Sequence, residues 1–132
     1  MKQLLILFLF ASFLFACKKS NDNNPGELHG RYRGTFNRTG MDTAEVSILF
    51  KDDNSFEGTG GPLNYPSICG GHFQQTGNNL AMDDTCAWTA NFDWTLIFDG
   101  NYNINFTGEN SVKIWRTNGA VTDEYLLNRI TR

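Results

Sequence analysis

Two stretches near the start of the folded part of the chain decide its fold: GRYRGTF at residues 30–36 and AEVSILF at residues 44–50. In each stretch, apolar or small residues recur in steps of two and all but one of the residues between them, Leu49, are polar, which is the pattern of a β-strand with one buried face. The segment between them contains Asn, Gly and Asp, the residue types that favour turns. This part of the chain is therefore predicted to form β-strands joined by a turn.

The same alternation continues to the end of the chain, broken roughly every 8–12 residues by clusters of Gly, Asn and Asp. No helix of useful length is predicted. Further strands are predicted at residues 55–60, 71–76, 80–82, 94–98, 101–107, 111–117 and 121–130.

Short turns between consecutive strands favour the pairing of neighbours, and an open sheet of this size would expose two edges. The predicted fold class is therefore all-β: an antiparallel up-and-down β-barrel of about 8–9 strands. A two-sheet β-sandwich is the alternative, because the longer, irregular stretches at residues 61–67 and 83–91 could cross between two packed sheets.

The composition disfavours several classes of protein. The 132 residues carry a formal net charge of −3, which provides no basic surface for nucleic acid. Beyond residue 16, no stretch approaches the roughly 20 apolar residues that a membrane-spanning helix needs. The 13 Gly and 15 Asn residues disfavour a helical bundle. The length fits a single domain.

The N-terminal segment is predicted to be a signal and not part of the fold. Lys2 precedes an apolar run, and Ala16 stands directly before Cys17, an arrangement that resembles the bacterial lipobox. We therefore expect a lipoprotein signal peptide at residues 1–16, lipidation of Cys17, a flexible tether at residues 17–27 and the barrel domain at residues 28–132. The expected location is the cell envelope, as an outer-membrane lipoprotein that is periplasmic or surface-exposed.

The two other cysteines, Cys69 and Cys86, are predicted to form a disulfide, because an exported protein faces an oxidising compartment. The alternative is a metal site that adds His72 to the two thiols. Zinc sites usually contain a fourth close ligand and a Cys-x-x-Cys spacing, and neither is present in this sequence. We therefore predict no metal and no cofactor.

The sequence contains few candidate catalytic residues. His29 and His72 are the only histidines, and the sequence contains no nucleophile elbow, phosphate loop or HExxH motif. The acidic clusters at residues 52–53 and 83–84 are the residue types that turns use. The protein is therefore predicted not to be an enzyme.

Three motifs carry a resemblance to a known family: Gly30-x-Tyr32-x-Gly34, Gly71-x-Phe73 leading into the sequence GNNL at residues 77–80, and Tyr125-x-Leu127-x-Arg129. Together they resemble the lipocalin-like (calycin-type) small β-barrel lipoproteins of Gram-negative bacteria. The resemblance implies that Tyr32 and Arg129 take the places of the opening aromatic residue and of the late arginine that packs across it. Most members of that architecture have no assigned ligand, so it does not by itself imply a function.

The barrel interior leaves three hypotheses. Aromatic side chains could simply fill it, since an eight-stranded barrel is just wide enough for them. Alternatively, a small apolar ligand could enter at an open mouth, because pockets combine aromatic walls with a few polar groups. The residues assigned to such a ligand site are Tyr32, Phe36, Gln75, Trp94, Trp115 and Arg116.

In the third hypothesis Trp88 and Tyr65 project outward as anchors for a partner protein, because Trp and Tyr are common at binding hot spots. The predicted function is that of a lipid-anchored, non-enzymatic envelope binding protein that holds a small apolar ligand in a barrel. The alternative is a protein-interaction module, such as a lysozyme- or protease-inhibitor-like lipoprotein. The expected partners are the membrane, through the anchor, and a small hydrophobic ligand or an envelope protein.

Overall fold

The computed structural model describes residues 26–89 and 91–131. The predicted signal peptide, the lipidation site Cys17 and nearly all of the tether lie outside the described residues. Within the described part of the chain, no helix is long and apolar enough to cross a membrane.

The described residues form a closed barrel in which each strand pairs antiparallel with the next and the last pairs with the first. The strands are β1 (Gly30–Arg38), β2 (Ala44–Phe50), β3 (Ser55–Thr59), β4 (Gly70–Thr76), β5 (Asn79–Asp84), β6 (Gly100–Phe106), β7 (Ser111–Asn118) and β8 (Val121–Arg129). The predicted all-β up-and-down barrel is thereby confirmed, and the sandwich alternative is wrong because β8 pairs with β1.

One predicted strand is wrong. Residues 94–98 do not join the barrel; instead Trp94–Leu96 forms a 3-10 turn. The side chain of Asp93 caps this turn by accepting a hydrogen bond of 2.9 Å from the backbone N–H of Thr95. Short Asp side chains that bond to nearby backbone groups compete with strand pairing. The barrel accordingly has eight strands.

The two ends of the barrel differ. At one end, which we call the loop end, lie the connections at residues 39–43, 60–69, 85–99 and 119–120. The chain enters the barrel at the opposite end, which we call the N-terminal end. There Leu28 is buried against the core.

Tyr32 and Arg129 are direct partners in the register between β1 and β8, at the N-terminal end. Burial raises the pKa of the Tyr32 phenol above its usual value, and the positive charge of Arg129 partly opposes this shift. Arg129 Nη1 donates a hydrogen bond of 2.7 Å to His29 Nε2. The opening aromatic residue and the late arginine therefore share one end of the barrel.

Aromatic and aliphatic side chains together fill the barrel interior. The ring of Tyr125 lies near the centre of this packing, with centroid distances of 4.8 Å to Phe36 and 4.7 Å to Phe98. Nearer the N-terminal end, Phe50 packs edge-on against Phe73 at 5.1 Å. Such ring pairs stabilise a core beyond the effect of their buried area. The interior is thus a packed core of the kind expected for an eight-stranded barrel.

Cys69 and Cys86 form the predicted disulfide, with their Cα atoms 6.3 Å apart. The bond joins the connection at residues 60–69 to the connection at residues 85–99, and both connections lie at the loop end. Because the two sulfur atoms are bonded to each other, they are not available as thiolate ligands, and the alternative metal site with His72 is wrong.

Reduction of this disulfide is expected to lower the free energy of unfolding by about 3 kcal/mol, because it frees a loop that spans 17 residues in the unfolded chain. For a domain of this size the melting temperature should fall by about 10 °C. Thermal unfolding with and without reductant measures the change. A double variant, Cys69→Ala with Cys86→Ala, should melt at the lower temperature under both conditions; a variant that melts like the oxidised protein would contradict the prediction.

Candidate functional site

The six predicted ligand residues do not line one cavity. Tyr32 and Phe36 point into the barrel and are buried. Tyr32 packs edge-on against Phe50 at 5.7 Å, and Phe36 packs against Tyr125. These two side chains are therefore part of the packed interior.

Gln75 and Trp115 lie in other places. Gln75, at the N-terminal end, accepts a hydrogen bond of 3.1 Å from the backbone N–H of Leu28, and its Nε2 donates one of 2.7 Å to the carbonyl of Gly26. It thus ties the entering chain to the barrel. Trp115 alternates with the inward-facing Ile114 on β7, so its ring lies on the outer wall, where Lys113 Nζ is 5.4 Å from the ring centroid.

Only Trp94 and Arg116 belong to the same site. Both line a groove of about 770 Å³ at the loop end of the barrel. Met41, Trp94, Ile97 and Val121 supply the apolar part of the groove wall. Of these, Met41, Trp94 and Val121 are exposed, and they belong to three different connections or strand starts. The groove is the candidate functional site.

Charged residues on three adjacent strands form the floor of the groove. Asp123 on β8 is the direct register partner of Arg38 on β1 and of Arg116 on β7, so all three side chains point toward the barrel interior at one level. Arg38 donates to both carboxylate oxygens of Asp123, at 2.6 Å from Nε and 2.8 Å from Nη2. Arg116 Nε adds a third hydrogen bond of 3.1 Å. Arg38 is 7% exposed and Asp123 is 4% exposed.

The same two arginines hold the 3-10 turn that carries Trp94. Arg38 Nη2 and Arg116 Nη2 both donate to the carbonyl oxygen of Thr95, at 2.9 Å and 2.6 Å. Arg38 Nη1 also donates to Asp93 Oδ2 at 3.1 Å. The floor therefore fixes the position of the exposed indole above it.

The pKa values of Arg38 and Asp93 are both shifted in the direction that favours the charged form at neutral pH. Hydrogen bonds from the Thr95 side chain and backbone hold the pKa of Asp93 below its usual value. The hydrogen bond to Asp123 raises the pKa of Arg38 despite its burial. Below the floor, desolvation raises the pKa of Tyr125 well above the usual value of a phenol. The site is thus a fixed arrangement of charges.

Trp88, Phe92 and Trp94 form an aromatic row in the connection at residues 85–99. Trp88 is half-buried, donates from Nε1 to Asp84 Oδ1 at 2.8 Å and meets Phe92 edge-on at 5.6 Å. Phe92 stacks on Trp94, with ring centroids 6.0 Å apart and planes 17° apart. Trp94 is 58% exposed, so the accessible end of the row is Trp94.

Tyr65, which the sequence predicted as an outward anchor, turns inward instead. Its ring packs edge-on against Phe36 at 5.2 Å and its hydroxyl is buried. The reason is local: residues 61–65 fold back on themselves, with the Gly61 N–H donating to the Tyr65 carbonyl. The prediction of an outward Tyr65 is therefore wrong.

Sequence reasoning missed Met41 and Val121 on the groove wall and Arg38 and Asp123 on its floor. A signal for the floor was available. Arg38 lies two residues after the buried Phe36 on β1, and Asp123 lies two residues before the buried Tyr125 on β8. Residues two apart on a strand face the same side, so each places a charge on a buried face. A buried charge normally requires a partner, and these two are partners of each other.

Comparisons with protein-family models, curated proteins and solved structures find no match for this chain.

Proposed function

We propose that this protein is a lipid-anchored, non-enzymatic binding protein of the cell envelope, which holds a partner protein in the groove at the loop end of a filled barrel. One observation carries the proposal: Met41, Trp94 and Val121 are 51%, 58% and 40% exposed and all line the same groove. Clustered exposed apolar side chains with a polar surround are typical of interaction sites. Trp is among the residues most enriched at binding hot spots.

The rigidity of the groove supports this proposal. The turn carrying Trp94 is bonded to Arg38 and Arg116, and the connection in which it lies is joined to the connection at residues 60–69 by the disulfide. A surface that is already ordered loses little conformational entropy when a partner binds. The exposed indole is therefore well suited to act as an anchor.

A small apolar ligand inside the barrel has less support. The ring of Phe98 packs at 4.7 Å on Tyr125 and at 5.1 Å on Tyr102, and residues from several strands fill the space between them. A ligand at this depth would have to displace side chains from a packed core, which costs several kcal/mol for an aromatic ring. The groove offers binding without that cost.

The position of the entering chain supports a lipid anchor that leaves the groove accessible. Gly26 and Leu28 are tied to Gln75 at the N-terminal end, opposite the groove. Cys17 precedes Gly26 by nine residues, which span at most about 30 Å. A lipid on Cys17 would therefore hold the N-terminal end toward the membrane and direct the groove away from it.

The anchor is testable in the native host. The wild-type protein should incorporate fatty acid and partition into the detergent phase, and a Cys17→Ala variant should do neither, because acyl chains provide the membrane affinity. The Cys69→Ala, Cys86→Ala double variant, which keeps Cys17 and leaves no unpaired partner of the disulfide, serves as control and should still partition with the detergent. Equal partitioning of the Cys17→Ala variant would refute the anchor.

The binding site is tested by the Trp94→Ala variant. Affinity purification from the native host should recover a stoichiometric partner with the wild-type protein, and the variant should bind that partner at least about 30-fold more weakly, as expected for a hot-spot tryptophan. The matched control is Leu126→Ala, because Leu126 is comparably exposed on the outer wall of β8. Equal recovery with the wild-type protein and the Trp94→Ala variant would contradict the proposal.

A further inference from the structure

We infer that the partner presents a cationic protein surface to the groove, with a Lys or Arg side chain over the open face of Trp94. This inference rests on the proposed function and names the chemistry of the partner. Three observations support it: the negative charge of the barrel, the hydrogen bonds that already engage the two groove arginines, and the residues that surround Trp94.

The barrel is more acidic than the chain as a whole. Four of the 11 Lys and Arg residues and one of the 14 acidic residues lie outside residues 26–131, so that segment carries 7 cations and 13 carboxylates, a formal charge of −6. The four connections at the loop end contain Asp42, Asp93 and Asp99 and no Lys, Arg or His. A partner of opposite charge is attracted to such a surface and oriented by it.

The two arginines at the groove are occupied within the protein. Arg38 bonds to Asp123, Asp93 and Thr95. Arg116 donates to Asp123, to the Thr95 carbonyl and, at 2.7 Å, to the Asp99 carbonyl. Its guanidinium lies 4.7 Å from the centre of the Tyr102 ring. Every guanidinium nitrogen of both arginines thus already donates to a group of this protein, whereas the Asp93 side chain is still 54% exposed.

Trp94 provides a receptor for a cation beside these carboxylates. Phe92 stacks on the indole, and the large exposed fraction of Trp94 remains available to a partner. Cations bind over the face of an aromatic ring, and Trp is the best of the aromatic side chains for this contact. Asp93 precedes Trp94, and Asp99 lines the same groove. An apolar surface next to carboxylates therefore selects a basic side chain with an apolar stem.

Two other occupants fit less well. A second copy of this chain would bring the same negative charge to the contact, and like charges across an interface oppose association. The surface of anionic lipids would repel the loop end for the same reason. Both alternatives predict outcomes that differ from those of a basic partner.

The experiment measures the affinity of the full protein, purified from its host, for the partner recovered through Trp94. Asp99→Asn should weaken binding about fivefold, and raising NaCl from about 50 to 500 mM should weaken wild-type binding about tenfold, because salt screens exposed charges. Asp52→Asn, at the N-terminal end, is the charge-matched control and should bind within about twofold of wild type. Asn at position 99 can still accept the hydrogen bond from the Asp84 N–H, so the fold should be kept.

Binding that depends on Trp94 but is unchanged or strengthened in the Asp99→Asn variant would overturn the cationic-partner inference and leave the proposed function in place. A partner that proves to be a second copy of the chain, or Trp94-dependent binding to vesicles of anionic phospholipid in place of a protein, would also overturn the inference. If no partner whose binding depends on Trp94 were recovered, the proposed function itself would be refuted.

Discussion

Replacement of Asp123 by alanine is expected to lower the free energy of unfolding by about 3–5 kcal/mol, one of the largest effects of any single substitution in this barrel. Asp123 is 4% exposed and accepts two hydrogen bonds from Arg38 and one from Arg116. Its removal leaves the buried guanidinium with only the exposed Asp93 carboxylate as a counter-charge, so most of the desolvation cost of Arg38 is no longer offset. Urea unfolding followed by tryptophan fluorescence measures the loss.

The matched control is Glu57→Ala, which breaks the exposed ion pair with Lys51 on the outside of the barrel. Surface ion pairs contribute about 0–1 kcal/mol, so this variant should unfold close to wild type. A double variant, Arg38→Met with Asp123→Leu, removes both charges of the buried pair and should recover part of the stability that Asp123→Ala loses. If Asp123→Ala were as stable as Glu57→Ala, the buried pair would not support the groove floor.

The same substitution should also weaken partner binding, because Arg38 positions the turn that carries Trp94. The loss of affinity can be separated from unfolding, because the affinity is measured without urea and at a temperature well below the melting temperature of the variant. Partner affinity that is unaffected by Asp123→Ala would show that the turn keeps its place without the floor.

Replacement of Gly34 by valine is expected to prevent closure of the barrel, with a loss of about 3 kcal/mol or more. A Cβ atom at this position would lie 1.9 Å from the carbonyl oxygen of Leu126 and 2.9 Å from the Cα atom of Leu127. Both contacts are with the backbone of β8, which cannot move without separating from β1. The requirement at Gly34 is thus the close approach of two strands. Thermal unfolding and size-exclusion chromatography of the variant measure the result.

Gly108→Ala is the control for Gly34→Val. A Cβ atom at Gly108 would meet only Ser111 at an ordinary distance of 3.7 Å. This variant should stay within about 0.5 kcal/mol of wild type, as surface substitutions usually do. A Gly34→Val protein that unfolds like the Gly108→Ala protein would contradict the tight contact between β1 and β8.

Much of the architecture follows from local pattern. The alternation in residues 30–36 and 44–50 correctly assigns Tyr32, Phe36 and Val46 to the buried face, because side chains on a strand change sides at every residue. The pattern fails at residues 94–98, whose β-prone composition imitates a strand. This segment forms a 3-10 turn instead, in which the Asp93 carboxylate accepts a hydrogen bond from the backbone N–H of Thr95, and the alternation pattern carries no sign of that bond.

The ligand residues show what alternation leaves open. It gave no account of how far along the barrel axis a residue lies, so Gln75 and Arg116 seemed interchangeable as polar groups for one ligand. The structure places them at opposite ends, Gln75 beside the entering chain and Arg116 on the groove floor. Which polar groups share a site depends on strand register, and register is set by the packing of the whole barrel.

Strand alternation, turn residues and cysteine number are readable within short segments, so they were enough to predict an all-β antiparallel barrel and the pairing of Cys69 with Cys86, but they left open whether the barrel interior is filled. The position of the candidate site became known only from the three-dimensional fold. Met41, Trp94 and Val121 are far apart in the chain, and no property of one segment indicates that they meet. Closure of β8 onto β1 brings them together, since it sets Asp123 between Arg38 and Arg116 and so fixes the floor on which the turn of Trp94 rests.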